Sequence, residues 1–232
     1  MSGHSKWATI KHQKGINDAQ RGKLFSKLAR TIAIAARGGS DPATNFKLRL
    51  EVEKARRVNM PKENITRAIK KGSGEEAGES WEGVTYEAFG PSGVGIIVEA
   101  ITDNKNRTTA EIKNLFEKSG GALAGPGAVA FQFDRLGQLL VAKEADFEKQ
   151  MLRLIDLGAR DIVEEGEQLV VFIPSDCLAK TKDLACEAEL IWYPTSWISL
   201  KDPEEIGKVV RLLEILEDHD DVQKVFSNLA TT

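Results

Sequence analysis

Histidine and cysteine are scarce in this chain of 232 residues, which holds three of the former and two of the latter. His4 and His12 fall in a polar N-terminal stretch and His219 in the acidic run Asp218-His219-Asp220-Asp221. No Ser/His/Asp or Cys/His arrangement has support, so nucleophilic catalysis is not expected. Four adjacent residues of a turn do not all face one ion, and the acidic run reads as a solvated turn; neither a metal nor a cofactor is expected. Cys177 and Cys186 fall on one predicted helix over 175–188, about 13 Å apart along its axis. That spacing forbids an intrahelical disulfide and predicts reduced thiols. Long apolar runs are also missing: none approaches the roughly 20 residues that span a bilayer. The opening Met1-Ser2-Gly3-His4-Ser5-Lys6-Trp7 has no apolar signal core, so the expectation is a cytoplasmic protein without membrane contact. The glycine-rich pieces Gly72-Ser73-Gly74 and 120–127 lack both the strand-then-helix setting and a Gly-Lys-Ser/Thr ending, which excludes a nucleotide-binding loop.

What is present is an ordinary folded composition, 41% hydrophobic and 29% charged, in a length that suits two or three small domains. The formal net charge of −3 hides an asymmetry. Residues 1–71 hold 17 Lys and Arg against 5 Asp and Glu, whereas the remainder holds 15 against 30. A basic block joined to an acidic body predicts a polyanion-binding end, with acidic α/β domains free to bind a protein partner or to set geometry.

Within the basic block, residues 1–16 offer only Trp7, Ile10 and Ile16 as large apolar groups, too few to bury, and read as a flexible arm. Helical periodicity begins at Asn17 or Asp18 and continues to Arg37, where Gly38-Gly39 supplies a stop. Phe25, Leu28, Ile32 and Ala35 share one sector of this helix; Lys23, Lys27, Arg30 and Arg37 gather opposite, with Ile34 intruding among them. A second helix fits 42–58, with Leu48, Val52 and Ala55 inward. A third follows Pro61, with Ile65, Ala68 and Ile69 on one side and Arg67, Lys70 and Lys71 elsewhere. Three short helices predict a small bundle, and 72–80 reads as a linker.

Beyond the linker the period shortens towards 2. Tyr86 to Phe89 and Val94 to Ile101 predict a strand pair joined by Gly90-Pro91-Ser92-Gly93. A capping box at Thr108 opens a helix, and Val129 to Phe133 reads as a strand. Strand 136–142, helix 145–157, strands 160–164 and 168–173, helix 175–188 and strand 189–198 follow the ferredoxin-like β-α-β-β-α-β order. A helix from Pro203 to Glu217 and a strand from Val222 to Phe226 complete the first series. The predicted class is therefore α+β. Its expected organisation is an arm, bundle and linker over 1–80, a middle α/β domain from 81–133 with 199–232, and an inserted α/β domain over 134–198, both α/β domains being expected as ferredoxin-like.

Cations on an arm and a helical face neutralise several phosphates at once and release counterions, which favours a nucleic-acid ligand. The candidate contacts are His4, Lys6, Trp7, Lys11, His12, Lys14, Arg21, Lys23, Lys27, Arg30, Arg37, Lys70 and Lys71. Trp7 has no evident core to join and suits stacking on a base, with docking onto its own bundle the other reading. Asn104, Lys105, Asn106 and Arg107 form a second candidate contact loop at a helix N-terminus, where the alternative is a satisfied turn.

The same residues carry a resemblance. Gly3-His4-Ser5-Lys6-Trp7, Ile10-Lys11-His12, Asp18-Ala19 with Arg21-Gly22-Lys23, Asn59-Met60-Pro61-Lys62, Ile65 to Gly72 and Thr102 to Thr108 occur in the order found in the YebC family of bacterial proteins and their mitochondrial translational-activator relatives, which this chain resembles over its whole length. The resemblance implies a helical N-terminal bundle followed by two α/β domains, and a non-enzymatic regulator of gene expression. It implies DNA binding and transcription first, with ribosome-associated translation through ribosomal RNA as the alternative. Phe46 departs from the family's usual Pro, Ala124 and Ala128 from its Gly and Ser, and Trp192 and Trp197 are bulkier than its usual residues.

Overall fold

The computed structural model describes residues 18–76, 81–181 and 187–230. The arm, with His4, Lys6, Trp7, Lys11, His12 and Lys14, lies outside the described residues, as does Cys186. Phe133–Thr195 form one compact unit, and the remaining described residues, within Ser5–Gln132 and Ser196–Thr232, form the other.

Three helices open the larger unit: α1 (Asp18–Ala36), α2 (Phe46–Arg57) and α3 (Lys62–Ser73). Leu28, Ile32 and Ala36 of α1, Leu48, Val52 and Ala55 of α2, and Ile65 and Ala68 of α3 close around Met60 in a single apolar cluster, the bundle expected from the helical period. The second helix starts at Phe46 and not at residue 42 because the preceding residues are folded into a turn on Asp41, whose carboxylate accepts from Ala43 N and whose carbonyl accepts from Asn45 N. Asn45 then caps α2, accepting from Leu48 N at 3.1 Å while its amide donates to Ala35 O at 2.8 Å. Gly74 ends α3 in the left-handed region at φ 83°. Gly72 lets α3 approach α1: a Cβ there would stand 2.7 Å from two carbons of Ala33 and closer still to its carbonyl oxygen.

The same unit continues with β1 (Glu82–Phe89), β2 (Gly95–Thr102), α4 (Lys105–Lys118) and β3 (Ala122–Ala124), and after residue 195 resumes with α6 (Pro203–Asp218) and β8 (Val222–Ser227). The antiparallel sheet has the order β3-β1-β2-β8, which differs from the ferredoxin-like order expected for this domain because β1 and β2 follow each other directly and pair as a central hairpin. Alternate strand residues Tyr86, Ala88, Ile96, Val98 and Ala100 pack beneath Ile112 and Phe116 of α4 and Val209, Leu212, Leu213 and Leu216 of α6. This core and that of the bundle have no residue in common. The expected strand at Val129 to Phe133 is absent. Glu87 accepts from the backbone N–H groups of Gly127, Val129 and Ala130 at 2.6, 2.7 and 2.7 Å, so that stretch gives its donors to a side chain instead of a ladder and turns through a 3-10 helix at Ala130–Gln132. Burial would raise the Glu87 carboxyl, but the three N–H groups outweigh it and hold it below the ordinary range.

The smaller unit contains β4 (Phe133–Ala142), α5 (Phe147–Asp156), β5 (Asp161–Glu165), β6 (Gln168–Pro174) and β7 (Glu187–Pro194), in the antiparallel order β5-β6-β4-β7. That order and connectivity are ferredoxin-like. The segment expected as helix 175–188 is a 3-10 helix over Ser175–Thr181, and residues 182–186 lie outside the described residues. Its Leu178 fills the space above Gly137 and Ile173, where a longer side chain at residue 137 would collide with it. The last strand ends at Pro194, four residues before the expected end, since proline brings no ladder donor and Thr195 and Ser196 bend away. The class is α+β, a helical bundle with two four-stranded antiparallel sheets.

Candidate nucleic-acid interface

Lys23, Lys27 and Arg30 lie at i, i+4 and i+7 on α1 and share one face, as the period requires. The structure gives that face an occupant from the same unit. Lys27 Nζ donates to Glu217 O at 2.7 Å, and Lys23 Nζ donates to Asp218 O and lies 3.2 Å from Asp220 Oδ1. Arg30 Nη1 donates to Asp220 O at 2.8 Å and to Asp221 Oδ1 at 2.9 Å. The final carbonyls of a helix lack intrahelical donors and carry partial negative charge. No basic residue stands in the last turn of α6, and cations of α1 supply what that end lacks.

Asp221 joins this contact to the second candidate loop. Its side chain is only 5% exposed. Arg107 Nη2 donates to its Oδ2 at 2.9 Å and to Asp103 Oδ1 at 2.8 Å, and Thr108 Oγ1 donates to Oδ2 at 2.6 Å. Thr102 Oγ1 stands 2.8 Å from Thr108 Oγ1 and accepts from Asn104 N at 2.9 Å, while Asn104 caps α4 by accepting from Arg107 N. Burial pushes the Asp221 carboxyl upward, but the Thr108 hydroxyl, Arg107 and Arg30 outweigh it and hold the group below the ordinary aspartate value. Hydrogen bonds to Asp221 and Asp103 in turn raise Arg107. The expectation of a wholly solvated turn at 218–221 is therefore corrected: Asp218 and Asp220 are exposed, but Asp221 is buried because three donors from two other elements converge on it.

An open cleft of about 520 Å³ lies over this cluster, lined by Lys23, Arg30, Arg107, Glu111, Asp218, His219, Asp220 and Asp221. His219 Nδ1 accepts from Asp221 N at 3.2 Å, which leaves Nε2 to donate to Glu111 Oε2 at 3.1 Å. Ligand atoms of Glu111, His219 and Asp221 fall within 4.8 Å of one another. A cation placed among them would stand beside two guanidinium groups, against an Asp221 carboxylate already holding three donors, and the chemistry of this trio suits an internal hydrogen-bond network better than an ion.

The other nominated residues are distributed differently. Arg21, Arg37 and Lys70 are exposed and make no ion pair among the described residues. Lys71 Nζ lies 5.9 Å from the centre of the Trp81 ring. Lys105 and Asn106 are exposed on the first turn of α4. Thus the structure brings Lys23, Lys27, Arg30 and Arg107 to one place and leaves Arg21, Arg37 and Lys70 outward. Arg67 was not among the candidates, yet it shares the exposed face of α3 with Lys70 and Lys71 at i, i+3 and i+4, a spacing visible in the sequence. Asp221 was missed as well; its partners are 191 and 114 residues away, and no local pattern announces them.

Comparison with known proteins gives consistent matches along the chain. Residues 5–75 match the family described as the TACO1/YebC protein N-terminal domain, and residues 81–229 match the TACO1/YebC second and third domain. A protein of Methylacidiphilum infernorum named as a probable transcriptional regulatory protein is 46% identical over 237 residues, covering 98% of this chain and 95% of the relative. A similarly named protein of Syntrophomonas wolfei is 42% identical over 242 residues, covering 99% and 96%. The crystal structure of a conserved hypothetical protein from Aquifex aeolicus superposes with a TM-score of 0.84 at 44% identity, covering 97% of this chain and 96% of that one.

Proposed function

The chain belongs to the TACO1/YebC family, and we propose that it is a non-enzymatic, nucleic-acid-binding regulator of gene expression, with duplex DNA as its ligand and transcription as its output. The observation that carries this reading is the outward face of α3, where Arg67, Lys70 and Lys71 are exposed within one helical turn of each other, on a bundle whose other exposed cations include Arg21, Arg37 and Lys47. Such a surface neutralises backbone phosphates and positions the bundle on a polyanion without reading bases. The names of the relatives from M. infernorum and S. wolfei, probable transcriptional regulatory proteins, support transcription as the output.

Ribosomal RNA presents the same charge per phosphate, and the decisive comparison is between the two ligands in one preparation. Purified protein is sedimented with ribosomes in cell extract at about 150 mM salt, beside a titration of a fluorescein-labelled DNA duplex under the same conditions, where weak phosphate contacts are already screened. DNA binding without ribosome association is the expected result. Retention on ribosomes with only weak, sequence-blind DNA binding replaces this reading with a translation factor that contacts RNA through the same cations.

A further inference from the structure

The contact between the basic face of α1 and the end of α6 has the chemistry of a phosphate contact made with protein atoms. Lys23, Lys27 and Arg30 meet the carbonyl oxygens of Glu217, Asp218 and Asp220 and the carboxylates of Asp220 and Asp221. A nucleic-acid backbone offers comparable oxygens and charge to the same three side chains. The links that join this face to the end of α6 are polar and ionic, and among the described residues the apolar core of the bundle is distinct from the core under the first sheet. Salt and competing anions act first on the exposed Lys23–Asp220 pair, whereas Arg30 and Asp221 are largely buried and yield last. Lys23 and Asp220 are its most solvent-exposed pair, with side chains 38% and 76% exposed, and mark the edge at which exchange begins.

We propose that the C-terminal end of α6 and the turn 218–221 are an internal competitor for the nucleic-acid ligand: they occupy Lys23, Lys27 and Arg30 in the free protein, and a polyanion gains this face only by displacing them. The proposal rests on the nucleic-acid reading above. It assigns the α1 face a second, conditional role, behind the permanently open cations of α3. It also explains why α6 carries no basic residue in its own last turn: a local cation there would cap the helix, and α1 would lose its anchor.

The test uses the full chain and two labelled probes, a duplex DNA of about 20 base pairs and a single-stranded RNA of about 20 nucleotides, lengths that exceed the span of one helix face. Asp218→Asn with Asp220→Asn removes two exposed charges from the competitor and leaves the buried Asp221 network in place. Glu204→Gln with Glu205→Gln removes two charges from the first turn of the same helix, about 20 Å from its C-terminal end along the axis. The first pair is expected to bind the probes about three- to tenfold tighter than the wild type, and the control pair to change affinity less than about twofold. Hydrogen exchange at 214–221 is expected to quicken on probe binding as the contact opens. Equal tightening by both pairs, or probe binding by the wild type with no change in the first pair, overturns the competitor and leaves the nucleic-acid reading intact. Failure of the wild type and of the Asp218→Asn/Asp220→Asn variant to bind either probe overturns both, whereas binding by that variant alone supports the competitor in its strongest form.

Discussion

Replacing Asp221 with alanine is expected to cost the larger unit about 3 kcal/mol of stability at neutral pH, in the range seen when one partner of a buried ion pair is removed. The carboxylate accepts from Arg30 at 2.9 Å, Arg107 at 2.9 Å and Thr108 at 2.6 Å, and its own backbone carbonyl accepts from Ile101 N on β2. Truncation leaves the Thr108 hydroxyl to Asn104 O and Thr102 Oγ1 and the Arg30 guanidinium to Asp220 O, but it takes from Arg30 and Arg107 the buried counter-charge they share, and that loss sets the magnitude. Arg107 is nearly half exposed and recovers water, which keeps the loss from being larger. The pH dependence has a definite sign. The native Asp221 carboxyl is held below its ordinary value of 3.8, so its contribution is complete above that value and fades as pH falls through the lower native one. Urea unfolding of wild type and variant at pH 7 and in acid measures this: a wide gap at neutral pH that narrows only below about pH 4 is expected. A gap unchanged by acid, or no gap at pH 7, contradicts the role assigned to Asp221. The unit Phe133–Thr195 contains none of these residues.

Gly72→Ala is expected to destabilise the bundle by about 2–3 kcal/mol, as overpacking of a tight contact does. Helix propensity alone argues the opposite, since alanine is favoured over glycine in a helix by about 1 kcal/mol. Packing decides the sign because the added Cβ would stand 2.7 Å from two backbone carbons of Ala33, and backbone cannot rotate aside as a side-chain tip does. Circular dichroism of thermal unfolding tests it, and a variant as stable as the wild type or more so contradicts the close approach of α3 to α1.

These two positions show how far the sequence reaches. The faces of α1 to α3 and the alternation of β1 and β2 are set by residues a few positions apart, and both bundle and sheets were legible from period. Ferredoxin-like order in 133–194 was legible for the same reason, since element order and short connections restrict the pairing. Interactions that join distant residues were not. The Val129 to Phe133 stretch is β-branched and aromatic enough to read as a strand, yet Glu87, some forty residues earlier, takes its N–H groups. The stripe of Lys23, Lys27 and Arg30 was visible, but its intramolecular partner lies about 190 residues away in an acidic run that reads locally as solvated turn. The convergence of that stripe with the loop at Asn104 to Arg107 is a product of the tertiary fold, because Asp221 pairs with Arg30 of the one and Arg107 of the other.

The central claim is that the cations of the bundle bind a polyanion backbone, and the slope of affinity against salt measures it most directly. Titration of a labelled DNA duplex across about 50–200 mM salt is expected to give a linear fall of log affinity with log salt, with a slope of about −0.9 per phosphate neutralised. Arg67→Ala, Lys70→Ala and Lys71→Ala combined are expected to weaken binding and make that slope shallower by roughly two to three. Affinity that does not respond to salt, or a triple variant that keeps the wild-type slope and its fold, contradicts the assignment of this surface to nucleic acid.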